Sequence, residues 1–337
     1  MVTRDDVAKH AGVSVAVVSY VVNNKSNVKE ATRQKVLQAI AELGYNPNLT
    51  ARSLKTKKTG QFGVLFHNLG NPFETGVSLG LEERARQLGR SLIFQTYIRS
   101  EEEKLKTVFM GRADGLLLMG QSLQPETLTH FAKMGVPVYS VTTPAHAAPT
   151  VKAIDIDWLD AMLRLVGHLH DLGHVRIGFM GHSMPDHHHR IRYEQFLQAL
   201  HKLGLGFDPA SMLLEGDGKL EVAYIAMSKQ LRECAGQLPF TAIVCANDLM
   251  GIGVLSACKD GGLAVPRQLS VAACEDILMA SHTTPTLTTL HFPRREAGFT
   301  AIDLLVQHID AEHELPDCTV DFKLTIREST ARVPKTE

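Results

Sequence analysis

The feature that most constrains the fold is the alternation of short apolar segments with helical segments from residue 61 onward. Short, continuous apolar segments separated by helices are typical of parallel sheets that are buried on both faces. Two runs of about five strands each predict two α/β lobes, with a ligand in the cleft between them at the carboxyl ends of the strands. The strand-like segments are GVLFHN, SLIFQTY, DGLLLMG, PVYSVT and KAIDID, then VRIGFMG, SMLLEG, TAIVCAND, LSVAAC and LTTLHF.

The first 43 residues predict a separate all-α head of three short helices. Thr3 and Asp6 form a capping-box-like start for the first helix, and Gly12 breaks it. Ser14 then begins a second helix, and another turn leads to a third. Two helices separated by a tight glycine turn are typical of a helix-turn-helix, although a generic three-helix bundle has the same pattern.

The segment between head and body is NPNLTARSLKTKKTG. Pro47 ends the preceding element, and Asn48 can cap one short helical turn that reaches Leu54. So short a helix is marginal alone, and we expect it to become ordered only against DNA or a partner copy. The predicted domains are a helix-turn-helix DNA-binding domain at 1–45, a hinge helix and linker at 46–60, and a two-lobed effector-binding and dimerisation domain at 61–337.

Charge is divided unevenly along the chain. The net charge is −1, but residues 1–60 hold ten Lys and Arg against four Asp and Glu, a net +6, which leaves −7 for the remaining 277 residues. A basic head on an acidic body suits a protein that places one end on nucleic-acid phosphates. A solvated basic face is the alternative explanation.

Composition indicates a cytoplasmic protein without cofactors. The N-terminus MVTRDDVAKH is charged and has no signal-peptide pattern, and no apolar run approaches the roughly 18 residues of a membrane helix. Five cysteines are scattered without C-x-x-C spacing, which favours reduced core thiols over a disulfide frame or a zinc site.

The chain closely resembles the LacI/GalR family of bacterial repressors over nearly its whole length. The motifs that carry the resemblance, in the family's order, are DDVAKHAGVSVAVVSYVVNN, NPNLTARSLK, DGLLLM, HDLGHVRIGFMGH, TAIVCANDLMGIGVLSA, GLAVPRQLSVAACED and TPTLTTLHFP. The resemblance implies a periplasmic-binding-protein-like body and a homodimer or tetramer. It also implies recognition helices that enter successive major grooves of a pseudo-palindromic operator.

The resemblance also implies which head residues contact DNA. Val15, Ala16 and Tyr20 are expected to face base edges, while Thr3, Ser14, Ser19 and Asn23 hold phosphate or the turn. Many relatives have Thr in place of Val17 and Arg in place of Tyr20. Without that arginine, we expect an operator recognised by shape and apolar contact with thymine methyl groups more than by arginine–guanine pairs. Alternatively, Val15 and Val17 pack the core of the head, which we expect of Val17 and not of Val15.

The stretch from Leu49 to Leu54 is similar to the hinge helix of the purine-repressor branch. There a leucine wedges into a minor-groove step and kinks the duplex. Leu54 is the expected wedge, unless it packs under the body. The expected backbone or groove contacts are Thr50, Arg52, Ser53 and Lys55.

For the cleft, the resemblance implies a set of acids, an arginine and aromatic rings that suits a sugar or polyol. A nucleobase or nucleoside corepressor is the alternative, and a DNA binder that ignores small molecules is another. Arg190 has the competing role of a salt-bridge partner at a helix start, and Asp248 that of a helix cap. The expected effector residues are Phe73, Asp157, Trp158, Arg190, Asp248 and Glu275.

Other functions are disfavoured by the motifs. His187, His188 and His189 are consecutive and so unsuited to share one metal ion, which favours a solvated loop at the cleft mouth. The chain has no P-loop, no G-x-S-x-G and no G-x-G-x-x-G after the first strand, so no enzyme is predicted. A periplasmic binding protein would need a signal peptide and would have no use for a basic helix-turn-helix head.

Overall fold

The computed structural model of the chain describes residues 2–22, 25–46, 58–143, 151–182, 189–235, 237–311 and 316–333. They divide into two units, Met1–Thr59 and Gly60–Glu337, here called the head and the body. None of the helices in these ranges has the length and apolarity that a membrane span requires.

The head consists of three helices around a small core. Thr3 caps the first helix through the predicted capping box, and Gly12 ends it with a φ of 63°, a left-handed conformation that glycine adopts without strain. The core contains Val7, Val18 and Val36, each fully buried and one from each helix. The helices are α1 (Arg4–Ala11), α2 (Val15–Val22) and α3 (Glu30–Leu43).

The first lobe of the body is a parallel sheet with the strand order β2-β1-β3-β4-β5-β11. Its central strands are buried along most of their length, as their continuous apolar sequences predict. The strands are β1 (Gln61–Phe66), β2 (Ser91–Thr96), β3 (Gly115–Leu118), β4 (Val138–Val141), β5 (Lys152–Asp155) and β11 (Cys318–Thr319). The helices are α4 (Pro72–Gln87), a 3-10 turn (Arg99–Glu101), α5 (Glu102–Phe109), α6 (Pro125–Lys133) and α12 (Arg294–Ala311).

The second lobe repeats this architecture with the order β7-β6-β8-β9-β10-β12, in which only β12 runs antiparallel to its neighbour. The strands are β6 (Ile177–Gly181), β7 (Leu213–Glu215), β8 (Ala242–Cys245), β9 (Ser270–Glu275), β10 (Thr288–His291) and β12 (Lys323–Thr325). The helices are α7 (Trp158–Asp171), α8 (Arg190–Lys202), α9 (Pro209–Met212), α10 (Leu220–Glu233), α11 (Asp248–Asp260) and a 3-10 turn (Leu278–Ser281).

The chain crosses between the lobes after β5, after β10 and between β11 and β12. The two-lobed α/β architecture was predicted, but β11 and β12 were not. These edge strands have only two and three residues and are partly exposed, so they carry no apolar run that sequence patterning could detect.

Helix α12 returns from the second lobe and packs closely on α4. A Cβ atom added to Gly80 would lie 2.5 Å from the Arg295 carbonyl oxygen, and one added to Gly298 would lie 2.7 Å from the Leu81 amide nitrogen. Only glycine allows this approach. An ion pair of 2.7 Å joins Arg84 to Asp303 across the same interface. This packing fixes α4, whose first turn carries two of the cleft residues described below.

Candidate functional site

In the head, α2 buries one face and exposes the other. Val18 and Val21 are buried, and Val17 packs partly buried against them. Val15 keeps 39% of its surface exposed and lies outside this core. The prediction that Val17 packs the core and Val15 does not is confirmed. Ser14 accepts a 3.4 Å hydrogen bond from the Val17 amide and so supports the first turn of α2.

The exposed face of α2 carries the residues predicted to meet DNA bases. Ala16 and Tyr20 are exposed next to Val15, because residues four positions apart lie on the same side of a helix. Ser19 is half-buried, and Thr3 is exposed as the cap of α1. Their roles on DNA stay predictions. Other predicted residues lie outside the described ranges, namely Asn23, Thr50, Arg52, Ser53, Leu54, Lys55, His187 and His188.

In the body, buried charged side chains gather where the strands of both sheets end. Glu74 follows β1 and Asp155 ends β5 in the first lobe, while Asp248 follows β8 and Glu275 ends β9 in the second. Arg192 joins them from the first turn of α8. All five are at most 7% exposed. Charged groups are rarely buried to this degree without partners, so the partners of each define the site.

Arg192 is the basic residue of this cluster. Its Nη1 donates a 2.8 Å hydrogen bond to Glu275 Oε1 and a second hydrogen bond to the Ala246 carbonyl oxygen. The guanidinium carbon lies 4.5 Å from the centre of the Trp158 ring and 6.0 Å from that of Phe73. The cation is thus held by charge and by two ring faces.

The predicted effector residue Arg190 lies elsewhere. Its Nε forms an ion pair with Glu194 one turn later, and 37% of its side chain is exposed. The structure therefore shows the competing salt bridge, and it is Arg192 that reaches Glu275. Helical periodicity in the sequence could have identified Arg192 as a buried residue. It lies four and eight positions before the apolar residues Phe196 and Leu200 and so shares the buried face of α8 with them.

Glu275 lies at the centre of the cluster in a strained conformation. Its φ is 124°, which side-chain-bearing residues rarely adopt. Burial raises the pKa of its carboxyl group, and the charge and hydrogen bond of Arg192 oppose that rise. Oε1 accepts from Arg192, whereas the buried Oε2 receives no hydrogen bond from any residue that the structure describes.

Asp248 is fully buried and engaged within its own lobe. Oδ2 accepts a 2.7 Å hydrogen bond from the Ile277 amide, and Oδ1 accepts one from the Thr289 hydroxyl. Burial, and then the charge of Glu275, raise the pKa of Asp248 to about 7. Asn247, not Asp248, caps α11. Both oxygens of Asp248 are therefore occupied, so the direct effector contact predicted for it stays a prediction that these hydrogen bonds do not favour.

The two residues predicted after β5 have different positions. Asp157 is exposed and caps α7 by accepting a 3.0 Å hydrogen bond from the Asp160 amide. Trp158 is buried and its indole Nε1 donates to Asp155 at 3.0 Å. Asp155 also accepts from the Thr143 amide at 2.7 Å, and burial raises the pKa of its carboxyl group. The structure thus brings Trp158 to the cluster and leaves Asp157 at its edge.

Phe73 lies in the cleft as predicted from the resemblance. The Asn71 side chain accepts a 2.9 Å hydrogen bond from the Phe73 amide and caps α4. The Phe73 ring is 5% exposed and meets Phe292, at the end of β10, edge-on at 5.0 Å. This contact joins residues that follow strands of different lobes. Whether Phe73 contacts an effector stays a prediction.

Glu74, next to Phe73, was not predicted from the sequence. Its Oε2 accepts hydrogen bonds from the His67 and Asn68 amides at 3.0 and 3.1 Å. Burial, and to a lesser degree the charge of Glu275, raise the pKa of Glu74 to about 7. An acidic residue in the first turn of a helix is common on solvated surfaces, so no local signal distinguishes this one as buried.

Comparisons with known proteins find a matching family model in the head and another in the body. Residues 3–48 match the family described as bacterial regulatory proteins, lacI family, and residues 166–330 match the periplasmic binding protein-like domain. The chain is 31% identical to the HTH-type transcriptional repressor PurR of Photobacterium profundum, over 98% of each chain. The chain belongs to the LacI family. This member is also 31% identical to catabolite control protein A of Priestia megaterium, over 92% of this chain and 93% of that one.

Solved structures of transcriptional regulators confirm the fold class. The lac repressor dimer bound to operator and the anti-inducer ONPF has a TM-score of 0.85 at 28% identity, covering 98% of this chain and 99% of that one. The regulator CelR in complex with cellobiose has a TM-score of 0.73 at 27% identity, covering 98% and 100%. Since these relatives are DNA-binding regulators, this LacI-family member is a transcriptional regulator and not an enzyme.

Proposed function

We propose that this LacI-family repressor binds a pseudo-palindromic operator as a dimer and that a sugar or polyol in the cleft of the body controls the binding. The observation that carries the effector part is the buried pair of Arg192 and Glu275 beside the Trp158 ring. Donors, acceptors and an aromatic face in one closed site are the groups that bind polyhydroxylated ligands. The complexes of CelR with cellobiose and of the lac repressor with ONPF support a small-molecule role for this fold.

Operator recognition is proposed for the exposed face of α2. Val15 and Ala16 offer apolar contacts, and Tyr20 offers a ring face and one hydroxyl group. Apolar side chains suit thymine methyl groups, whereas none of these three can bind guanine in the bidentate manner of arginine. We expect enrichment of random oligonucleotides to return half-sites specified mainly by A·T pairs. Half-sites specified mainly by guanines under α2 would contradict this proposal.

The hinge proposal concerns Leu54, which lies outside the described residues. If Leu54 wedges into a minor-groove step, the interactions that the bent operator makes with the protein offset the cost of unstacking, which is a few kcal/mol. We expect Leu54→Ala to weaken operator binding strongly and binding to unrelated DNA little, as measured by titration with both duplexes at one salt concentration. Equal losses on the two duplexes would exclude the wedge.

Arg192 has further hydrogen-bond donors that an effector can accept from. Among the described residues only its Nη1 has hydrogen-bond partners, so Nε and Nη2 remain for a ligand. Glu275 Oε2 provides an acceptor for the same ligand. Two vicinal hydroxyl groups can satisfy both side chains, each accepting from the guanidinium or donating to the carboxylate.

Control requires that the ligand act on both lobes. Phe73 and Glu74 belong to the first lobe, and Arg192 and Glu275 to the second, so a ligand between them changes how the lobes close. We propose that this closure sets the geometry of the paired heads in the dimer. A coupling of about 1–3 kcal/mol is typical of allosteric proteins and is enough for regulation.

A ligand screen tests the proposal. Sugars, polyols and nucleobases are added to the full chain in a thermal-shift assay, and operator binding is then measured with and without each hit. We expect a sugar or polyol to raise the melting temperature and to change operator affinity, and Glu275→Gln to abolish both effects. Arg190→Met, on the exposed face of α8, is the matched control and should retain them. A nucleobase hit would favour the corepressor alternative, and hits insensitive to Glu275→Gln would refute this site.

A further inference from the structure

Two carboxyl groups from different lobes belong to the same buried cluster in the cleft. Glu74 is in the first turn of α4, and Glu275 ends β9. They are 5% and 2% exposed. The guanidinium carbon of Arg192, which pairs with Glu275, lies 6.0 Å from the ring centre of Phe73, the residue next to Glu74. The two carboxyl groups therefore belong to one small buried region, and the charge of Glu275 contributes to the raised pKa of Glu74.

Arg192 compensates only one of these two carboxylates. It pairs with Glu275 Oε1, and Oε2 is left without a donor from the described residues. The hydrogen bonds that Glu74 accepts come from the neutral amides of His67 and Asn68, and within the described ranges no cationic side chain forms an ion pair with it. Above about pH 7, where Glu74 ionises, a negative charge thus remains uncompensated between the lobes.

The other charges around this point do not cancel the excess. Asp155 and Asp248 are buried, and their hydrogen bonds come from backbone amides, an indole and a hydroxyl group. Arg327 and His291 both pair with the Asp276 carboxylate. Arg294 donates to the carbonyl oxygens of Glu275 and Asp276. Among these described residues, five carboxyl groups stand against three guanidinium groups, so this cluster is net negative above about pH 7, where Glu74 and Asp248 ionise.

A neutral sugar would satisfy the hydrogen bonds of this site but would not reduce the repulsion between the ionised Glu74 and Glu275. A hydroxyl group can donate to Glu275 Oε2, but it brings no charge between the two carboxylates. An ammonium group brings three donors and a positive charge. We propose that the effector is an amine-bearing sugar or polyol whose ammonium group lies between Glu74 and Glu275. The inference rests on the proposed effector site and makes Glu74 a residue that determines specificity.

The test compares ligands that differ only at the amine. Glucosamine, galactosamine and mannosamine are titrated into the full chain by calorimetry at about pH 7.5, where Glu74 is largely ionised and amines of this type are still largely protonated. The controls are the parent hexoses and the N-acetylated sugars, which carry a neutral amide. We expect at least one amino sugar to bind about tenfold or more tightly than both of its neutral counterparts. Equal or tighter binding of the neutral counterpart, or no binding of any amino sugar, would overturn the inference.

Substitutions test whether Glu74 causes the preference for the amine. Glu74→Gln keeps an acceptor oxygen for the two amides and removes the charge, so the preference for the amine should fall to within about twofold. Glu82→Gln, an exposed position on the same helix, is the matched control and should keep the preference. A preference that survives Glu74→Gln overturns the inference. If a neutral sugar binds and Glu275→Gln abolishes its binding, the proposed function stays intact. If an amino sugar binds and Glu275→Gln has no effect on it, the proposed site itself is refuted.

Discussion

Neutralising Glu74 should stabilise the body at alkaline pH, even without a ligand. The pKa of Glu74 is raised from an ordinary 4.5 to about 7, mainly by burial. The folded chain therefore holds a proton between these two values that the unfolded chain has lost. Stability contributed by this group is fully present below the lower value and is lost as the pH rises through the higher one.

The size of the effect follows from the same shift. Each unit of pKa difference corresponds to about 1.4 kcal/mol, so ionised Glu74 costs roughly 3 kcal/mol of stability above about pH 7. Glu74→Gln avoids this cost, and its amide oxygen can accept from the His67 and Asn68 amides as Oε2 does now. With about 2–4 °C per kcal/mol for a unit of this size, we expect the melting temperature of the body to rise by roughly 6–12 °C.

The assay is a thermal-shift series over pH for the wild type, Glu74→Gln and the exposed control Glu82→Gln. The gain from Glu74→Gln should be large at about pH 8 and small at about pH 4.5, where folded Glu74 is protonated and carries no charge to bury. Glu82→Gln should follow the wild type. A gain of equal size at both pH values, or a loss at about pH 8, would refute the argument that a buried ionised carboxylate destabilises the body here.

Two further substitutions test the cleft and the head. Arg192→Met should lower the free energy of unfolding in urea by about 3–5 kcal/mol because it leaves Glu275 buried and unpaired. Arg190→Met should change the same free energy by less than about 0.5 kcal/mol. Comparable losses from the two variants would mean that Arg192 is not the buried partner of Glu275. Tyr20→Ala should weaken operator binding by about 1–3 kcal/mol in a fluorescence-anisotropy titration and leave the melting temperature of the head nearly unchanged, because Tyr20 is 43% exposed. Val18→Ala should instead lower that melting temperature, and a large loss of stability from Tyr20→Ala would show a structural role.

Most of the fold was predictable because its elements, apart from the edge strands β11 and β12, have a local cause. Buried parallel strands need continuous apolar segments, and these segments were visible from β1 to β10. Glycine and capping residues marked the helix ends of the head, as Thr3 and Gly12 show. The division of Val15 and Val17 between exposed and buried positions on α2 followed from helical periodicity alone.

The cleft was predictable only in outline. Phe73, Trp158 and Glu275 were expected there and are buried close to Arg192. Arg190 was expected there too, but it pairs with Glu194, and Arg192, on the buried face of α8, pairs with Glu275 instead. The effector contact expected of Arg190 stays a prediction that this geometry does not favour.

By itself, the sequence determined the helix-turn-helix, the pair of parallel sheets and the family. Tertiary structure alone decided which charges meet. Glu74 and Glu275 are far apart in the chain, and they belong to one buried cluster because strands of both sheets end at one cleft. Electrostatic energy depends on the distance between groups and on their burial, and neither quantity is written in the local pattern of residues.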